Sequence, residues 1–173
     1  MANYDYSSSL IDFSEAPDEI LRILKIWQSH KPARGNPYKS EMDPLRYRKH
    51  LGRFCVVEVQ KDPLDFIYRL DGTEISSSSN EDLRGKSVLD GTPSEIYQEH
   101  FEEFKTTFKA SVPQIWKIFY QEAETCHYLR LILPFAQNDA VVEDSPSYFM
   151  TYCYSLLSPE GHFEASRPST SNI

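Results

Sequence analysis

The sequence predicts a single α+β domain built on an antiparallel sheet, and three observations carry that prediction. The length, 173 residues, suits one domain of roughly 100–200 residues rather than two. A hydrophobic content of 40%, with 13% aromatic residues, is enough to bury a core. Strand-like runs come in groups of two and three separated by helical stretches, whereas parallel α/β folds alternate strand with helix one by one. Within that plan, residues 1–16 read as an N-terminal arm, 17–157 as the domain, and the Ser- and Pro-rich residues 158–173 as a disordered tail.

From Pro17 a helix is predicted to about His30. Proline suits the first turn, Asp18 and Glu19 favour the positive helix end, and Ile20, Ile23, Leu24 and Trp27 recur at three- and four-residue steps. Pro32, Gly35 and Pro37 then mark a loop. A second, short helix has Asp43 as N-cap, Pro44 in its first position and Gly52 as a left-handed terminator after Leu51. Residues 54–59 and 66–70 read as a β-hairpin joined by the turn chemistry of 62–65, with Phe66, Tyr68 and Leu70 on one face and Arg69 on the other. Gly72 ends the second strand, a polar Ser run follows at 76–79, and 83–88 forms a tight turn.

Thr92, Pro93, Ser94 and Glu95 have the form of a capping box that opens the longest helix, whose apolar stripe is Ile96, Phe101, Phe104 and Phe108. Two β-prone runs come next, 114–121 with Trp116, Ile118 and Tyr120 on one face, and 128–135 with Leu129, Leu131 and Leu133 on one face. The turn between them falls near 122–125. A last strand, 148–157, follows the acidic loop 137–146.

Charge narrows the partners. Eighteen basic against 26 acidic residues leave a net charge of −8, which opposes binding to nucleic acid or to an anionic membrane surface, so neither is an expected partner. The charge is uneven: residues 17–52 hold eight Lys or Arg and four Asp or Glu, net +4, leaving −12 on the rest. That stretch reads either as a solvated helix and loop or as a mark for an acidic partner or a phosphate. No apolar run approaches the ~18 residues of a membrane span, and no basic segment precedes an apolar one at the N-terminus, so the expected address is the cytoplasm. Cys55, Cys126 and Cys153 are odd in number and widely spaced, which suits small core residues in a reducing compartment.

The order of elements resembles the Per-Arnt-Sim, or PAS, fold: two strands, short helices, one longer helix, then three antiparallel strands. The helix ending at Ile26 and Trp27, the Asp43–Pro44 helix ending in Leu51 and Gly52, the run Phe66-Ile67-Tyr68-Arg69-Leu70-Asp71-Gly72-Thr73 and the turn Leu83-Arg84-Gly85-Lys86 are similar to a stand-alone bacterial PAS-like family over residues 17–157. The resemblance implies a five-stranded antiparallel sheet with helices on one face, an additional N-terminal helix, and a sensory or interaction role without catalytic residues. It implies no particular ligand, and no cofactor is named. The reactive Cys of flavin-binding light sensors has no counterpart in 77–82, which disfavours flavin photochemistry. The axial ligand of a haem-binding subtype has a counterpart in His100, which reads as partly solvated between Glu99 and Phe101.

Candidate sites follow from the faces. Phe101, Phe104 and Phe108 facing Trp116, Tyr120 and Leu131 read as core, or, with Tyr68, as the wall of a ligand pocket between helix and sheet. Arg69 and Arg130, with Glu58 and Lys117, read as one polar sheet face that carries cross-strand charge pairs or serves for docking. The N-terminal helix or a second protomer would cover that face through Ile20, Ile23, Leu24 and Trp27. Cys126 and His127 are neighbours on a strand and point to opposite faces, so they form no nucleophile and base. Neither Glu122, Glu124 and His127 nor Asp139, Glu143 and Asp144 have metal-site spacing, and no metal is expected. The function expected is a sensory module that binds a small molecule, a signalling protein or both. A small enzyme assembled only in three dimensions and a ligand-free scaffold are the alternatives.

Overall fold

A computed structural model describes residues 5–121, 125–137 and 145–164. The turn residues 122–124, most of the acidic loop, 138–144, and residues 165–173 lie outside the described residues. The strands are β1 (Asp5–Ile11), β2 (Phe54–Lys61), β3 (Leu64–Leu70), β4 (Gln114–Gln121), β5 (Thr125–Phe135) and β6 (Tyr148–Ser155). The α-helices are α1 (Asp18–Ser29), α2 (Thr73–Ser79) and α3 (Ser94–Ala110), and Pro44–Arg53 is a 3-10 helix. All six strands form one sheet in the order β1-β4-β5-β6-β2-β3, and every neighbouring pair is antiparallel.

Five of these strands are the expected ones. The sixth, β1, comes from the segment read as an arm. It pairs along its whole length with β4, from Asp5 opposite Gln121 to Ile11 opposite Ile115. Its sequence, three serines between Tyr6 and Leu10, has little β-propensity, so the pairing rests on the free edge of β4 rather than on an intrinsic preference.

The sheet is covered on both faces, and this decides where each side chain goes. On one face α1 lays Ile20, Ile23, Leu24 and Trp27 against Ile115, Leu129, Leu131, Leu133, Met150 and Tyr152, and the 3-10 helix adds Tyr47 beside Phe54. On the other face α3 packs through Phe104 onto Cys55, Val57, Phe66, Tyr68, Ile132 and Phe149. The additional N-terminal helix, with the 3-10 helix, thus covers the face opposite α3. Residues 128–135 of β5 are buried without interruption, the mark of a strand enclosed on both sides.

Local signals set most ends. The Asp43 carboxylate accepts from the Leu45 N–H at 2.9 Å, as an N-cap should. Gly52 does not terminate that helix, which runs on to Arg53, and its φ is not left-handed. The capping box at 92–95 also fails to form. Pro93, not Thr92, is the N-cap of α3, so Glu95 is one residue out of register, and the Thr92 N–H is taken by Glu81 Oε2 at 3.1 Å. At Gly72 a Cβ would lie 2.4 Å from the Gly52 carbonyl oxygen and 2.6 Å from that of Phe54, so only glycine lets the end of β3 pass there.

Residues 158–164, read as the start of a disordered tail, are packed. Gly161 takes a left-handed φ of 73° with the Tyr154 ring against it, its carbonyl accepts from the Ser155 N–H at 2.9 Å, and Phe163 meets Tyr128 edge-on. These contacts concern 158–164 alone; the rest of the tail, 165–173, lies outside the described residues.

The docking of α1 is testable. Trp27 is 3% exposed and its Nε1 donates to the Pro134 carbonyl at 2.9 Å. Trp27→Ala is expected to cost about 3–5 kcal/mol by urea denaturation, as for other buried aromatic truncations. A loss under about 1 kcal/mol would mean that α1 is not seated on the sheet.

Candidate functional site

The stripe of α3 that faces the sheet is not wholly apolar. Ile96, His100, Glu103, Phe104 and Thr107 are its buried residues, recurring at the three- and four-residue steps of one helix face. Phe101 and Phe108, expected in that stripe, are half-buried on its flank. His100 is 4% exposed rather than partly solvated.

Of the three buried polar side chains on α3, Thr107 bonds the Glu103 carbonyl one turn back, while His100 and Glu103 take their main partner from β5. Arg130 is 6% exposed and lies on the α3 side of the sheet, because its neighbours across the ladder, Trp116 and Cys153, point there too. This corrects its placement beside Arg69. Nη1 of Arg130 donates to Glu103 Oε2 at 2.6 Å, and Nη2 donates to the Tyr128 hydroxyl and to His100 Nδ1, each at 3.0 Å. The guanidinium also stands 5.6 Å from the ring centroids of both Phe104 and Tyr128. Since arginine is always a donor, Nδ1 of His100 accepts and its proton sits on Nε2. Burial, then the Arg130 charge, push the His100 pKa well below its ordinary value, so the ring is neutral.

The second oxygen of Glu103 is closed by the extra strand. Tyr6 of β1 donates its hydroxyl to Glu103 Oε1 at 2.5 Å, stacks on Tyr120 at 6.2 Å and meets His100 edge-on at 6.1 Å. Burial, and then the Glu103 carboxylate, raise the Tyr6 pKa far above its usual value, which keeps the phenol a donor. One ion pair thus joins α3, β5 and β1.

The residues expected to line a pocket divide accordingly. Tyr68, Phe101, Phe104, Phe108, Trp116 and Tyr120 all lie on the α3 side. Leu131 does not: it faces α1 across the sheet, since Arg130 and Ile132 take the other direction. Phe104 sits 5.4 Å from the Phe66 ring, 5.9 Å from Phe149 and 6.5 Å from Tyr68, and Trp116 Nε1 donates to Thr107 Oγ1 at 3.2 Å. These side chains fill the space between helix and sheet with one another. Two open clefts lie at the surface, one of about 410 Å³ beside α1 and the 3-10 helix and one of about 500 Å³ between β1 and α3.

Of the residues expected at an interface, Ile20, Ile23, Leu24 and Trp27 are buried on the chain's own sheet. Arg69 is exposed near the edge of that face, where its Nε donates to Glu58 Oε2 at 2.6 Å. Cys126 and His127 project to opposite sides of β5, Cys126 towards the Tyr120 cluster and His127 edge-on to Phe119. No group of His, Cys, Asp or Glu among the described residues is arranged to hold a metal. No helix among them is long and apolar enough to cross a membrane.

A second cluster anchors the chain's final described segment. Arg53, 3% exposed, donates to Glu19 Oε1 at 2.8 Å and to the Glu160 carbonyl at 3.2 Å, lies 3.6 Å from Glu74 and stands 5.1 Å from the Tyr152 ring centroid. Tyr152 donates its hydroxyl to the same Glu19. Glu74 in turn accepts from the Phe163 N–H and pairs with His162 Nδ1, both at 2.9 Å.

The 66–73 run and the 83–86 turn, which carry the resemblance noted in the sequence, hold this frame together. Tyr68 exchanges backbone bonds with the 83–86 turn, its N–H to Lys86 at 3.0 Å and its carbonyl to the Gly85 N–H at 2.7 Å. Asp71 accepts from the Leu83 N–H at 3.2 Å and from the Cys55 thiol at 3.3 Å. Burial raises the Asp71 pKa against those two donors.

The buried pair makes two predictions. Glu103→Leu leaves Arg130 uncompensated and is expected to cost about 3–5 kcal/mol in urea denaturation, whereas Glu103→Leu combined with Arg130→Met recovers most of it. Equal losses in the single and double variants would contradict the pairing. The neutral His100 adds a pH dependence. Below about pH 6.5 the unfolded chain binds a proton that the folded chain refuses, so stability falls as pH drops through that point, by up to about 1.4 kcal/mol per pH unit. Denaturation at pH 7.5 and 5.5 should show this loss, and His100→Gln should reduce it; an unchanged slope would contradict a buried neutral ring.

Comparison with curated proteins and with solved structures gave no match. A family model for the PAS domain does match, over residues 17–144, most of the chain. The matched stretch holds α1, the β2–β3 hairpin, α3, β4 and β5; of the two strands outside it, β6 fills the sheet between β5 and β2 and β1 adds to the β4 edge. The chain therefore belongs to the PAS domain family, a family of sensory and interaction modules.

Proposed function

We propose that this PAS domain works as a protein-interaction module in signal transduction, with the space between α3 and the sheet serving as structural core rather than as a ligand chamber. The observation that carries this reading is the closed set of partners around Arg130. Its guanidinium is engaged by Glu103, His100 and Tyr128, and the other Glu103 oxygen by Tyr6. A small-molecule site is usually an apolar hollow with a few polar groups turned towards the ligand. Here the polar groups of the interior turn towards one another, and Phe104, expected as a pocket wall, packs on the rings of Phe66, Phe149 and Tyr68. A ligand entering there would have to displace Glu103 or Phe104.

Output then passes through the surface to a partner. The apolar face of α1, which would otherwise serve a second protomer, is spent on the chain's own sheet.

Native mass spectrometry of the purified protein tests this reading. The expected result is a protomer of 20.1 kDa with nothing retained. A stoichiometric excess mass that disappears on denaturation would overturn it in favour of a ligand-binding sensor.

A further inference from the structure

The 3-10 helix Pro44–Arg53 turns an ordered row of side chains outward. With three residues per turn, positions i and i+3 eclipse and form ridges. Tyr47, His50 and Arg53 make the inward ridge: Tyr47 and Arg53 are 2% and 3% exposed and His50 is half-buried. Leu45, Arg48 and Leu51 make an outward ridge, with Leu45 77% exposed, Leu51 45% exposed and Arg48 exposed between them. At a rise of about 2.0 Å per residue the two leucines stand about 12 Å apart. Lys49, on the adjoining ridge, and Arg22 of α1 both line the neighbouring open cleft.

These cations are not consumed within the chain. Arg46 has Asp43 at 3.6 Å and His30 at 3.1 Å, whereas Arg22, Arg48 and Lys49 have no ion pair among the described residues. The ridge belongs to the stretch of net +4 in a chain that carries −12 elsewhere. Two exposed leucines at fixed spacing, with an unpaired cation between them, differ from the scattered single apolar residues of an ordinary surface.

We propose that this ridge docks an acidic amphipathic helix of a partner protein. Apolar residues seven or eight positions apart on such a helix span about 10–12 Å, matching Leu45 and Leu51, and Asp or Glu between them would meet Arg48. The proposal rests on the interaction-module reading above and names the surface that reading requires. A narrow acidic segment fits better than an anionic lipid plane. The plane extends well beyond the ridge and meets the acidic remainder of the chain, while a helix feels mainly charges within a Debye length of about 8 Å.

The test uses the full-length protein and a synthetic helix-forming peptide with leucines seven residues apart and glutamates between them, titrated by fluorescence anisotropy. Binding is expected, weakened at least tenfold by Leu45→Ser with Leu51→Ser and by Arg48→Glu, and weakened by added salt. Circular dichroism checks that each variant is folded, and the charge reversal gives a second reading should the serine pair perturb the helix. A flat titration, or binding that these substitutions leave unchanged, would overturn the proposal. So would co-sedimentation with phosphatidylglycerol vesicles through the same residues without peptide binding. Failure of the interaction-module reading is separate: it appears as a retained small molecule in the native mass spectrum, whatever the peptide does.

Discussion

A charge buried in the middle of a sheet constrains everything around it. Removing an arginine from water costs several kcal/mol, and the cost is offset only where the charge is paired and its remaining donors are satisfied. Arg130 meets that condition through groups from three places in the chain, Glu103 and His100 on α3, Tyr128 on its own strand, and Tyr6 acting on the far oxygen of Glu103. The position of α3 along the sheet, the register of β1 on β4 and the tautomer of His100 are consequently linked. A shift of any one by a residue would leave a buried polar atom without its partner.

The same constraint explains how the domain divides its two faces. With Arg130 and its partners on the α3 side, the leucines that alternate with it must point the other way, and an uncovered row of Leu129, Leu131 and Leu133 would be an aggregation surface. Helix α1 and the 3-10 helix cover that row. The 3-10 geometry then commits one of its three ridges to the core and leaves another, with Leu45, Arg48 and Leu51, to solvent. Interior pairing and exterior surface are thus connected through the architecture: the ridge proposed for recognition is the one that this packing leaves outside.

Much of this was legible in the residues. The order of helices and strands, the α1 stripe, the Asp43 cap and the pairs of strands follow from periodicity and turn chemistry, which act over a few positions. What escaped depended on contacts far apart in sequence. Strand alternation with the leucines points Arg130 to a solvated face; the contrary signal is that its neighbours on the same face, Tyr128 and Ile132, are themselves large and mostly apolar. The α3 stripe was drawn through aromatic residues, although stepping from Ile96 by helical intervals leads to His100, Glu103 and Thr107. Tyr6 and the 158–164 segment gave no local signal, since their polar anchors include Glu103 and Glu74, about ninety residues or more away.

The central claim, that a buried ion pair partnered by Glu103, His100 and Tyr128 closes the interior, is most directly tested at the guanidinium itself. Solution NMR of ¹⁵N-labelled protein can follow the Arg130 side-chain protons, assigned by comparison with Arg130→Met. The account predicts separate Nη resonances that exchange slowly with water, because Glu103, His100 and Tyr128 hold the group in one orientation. A single averaged signal exchanging as fast as that of the exposed Arg69 would contradict it.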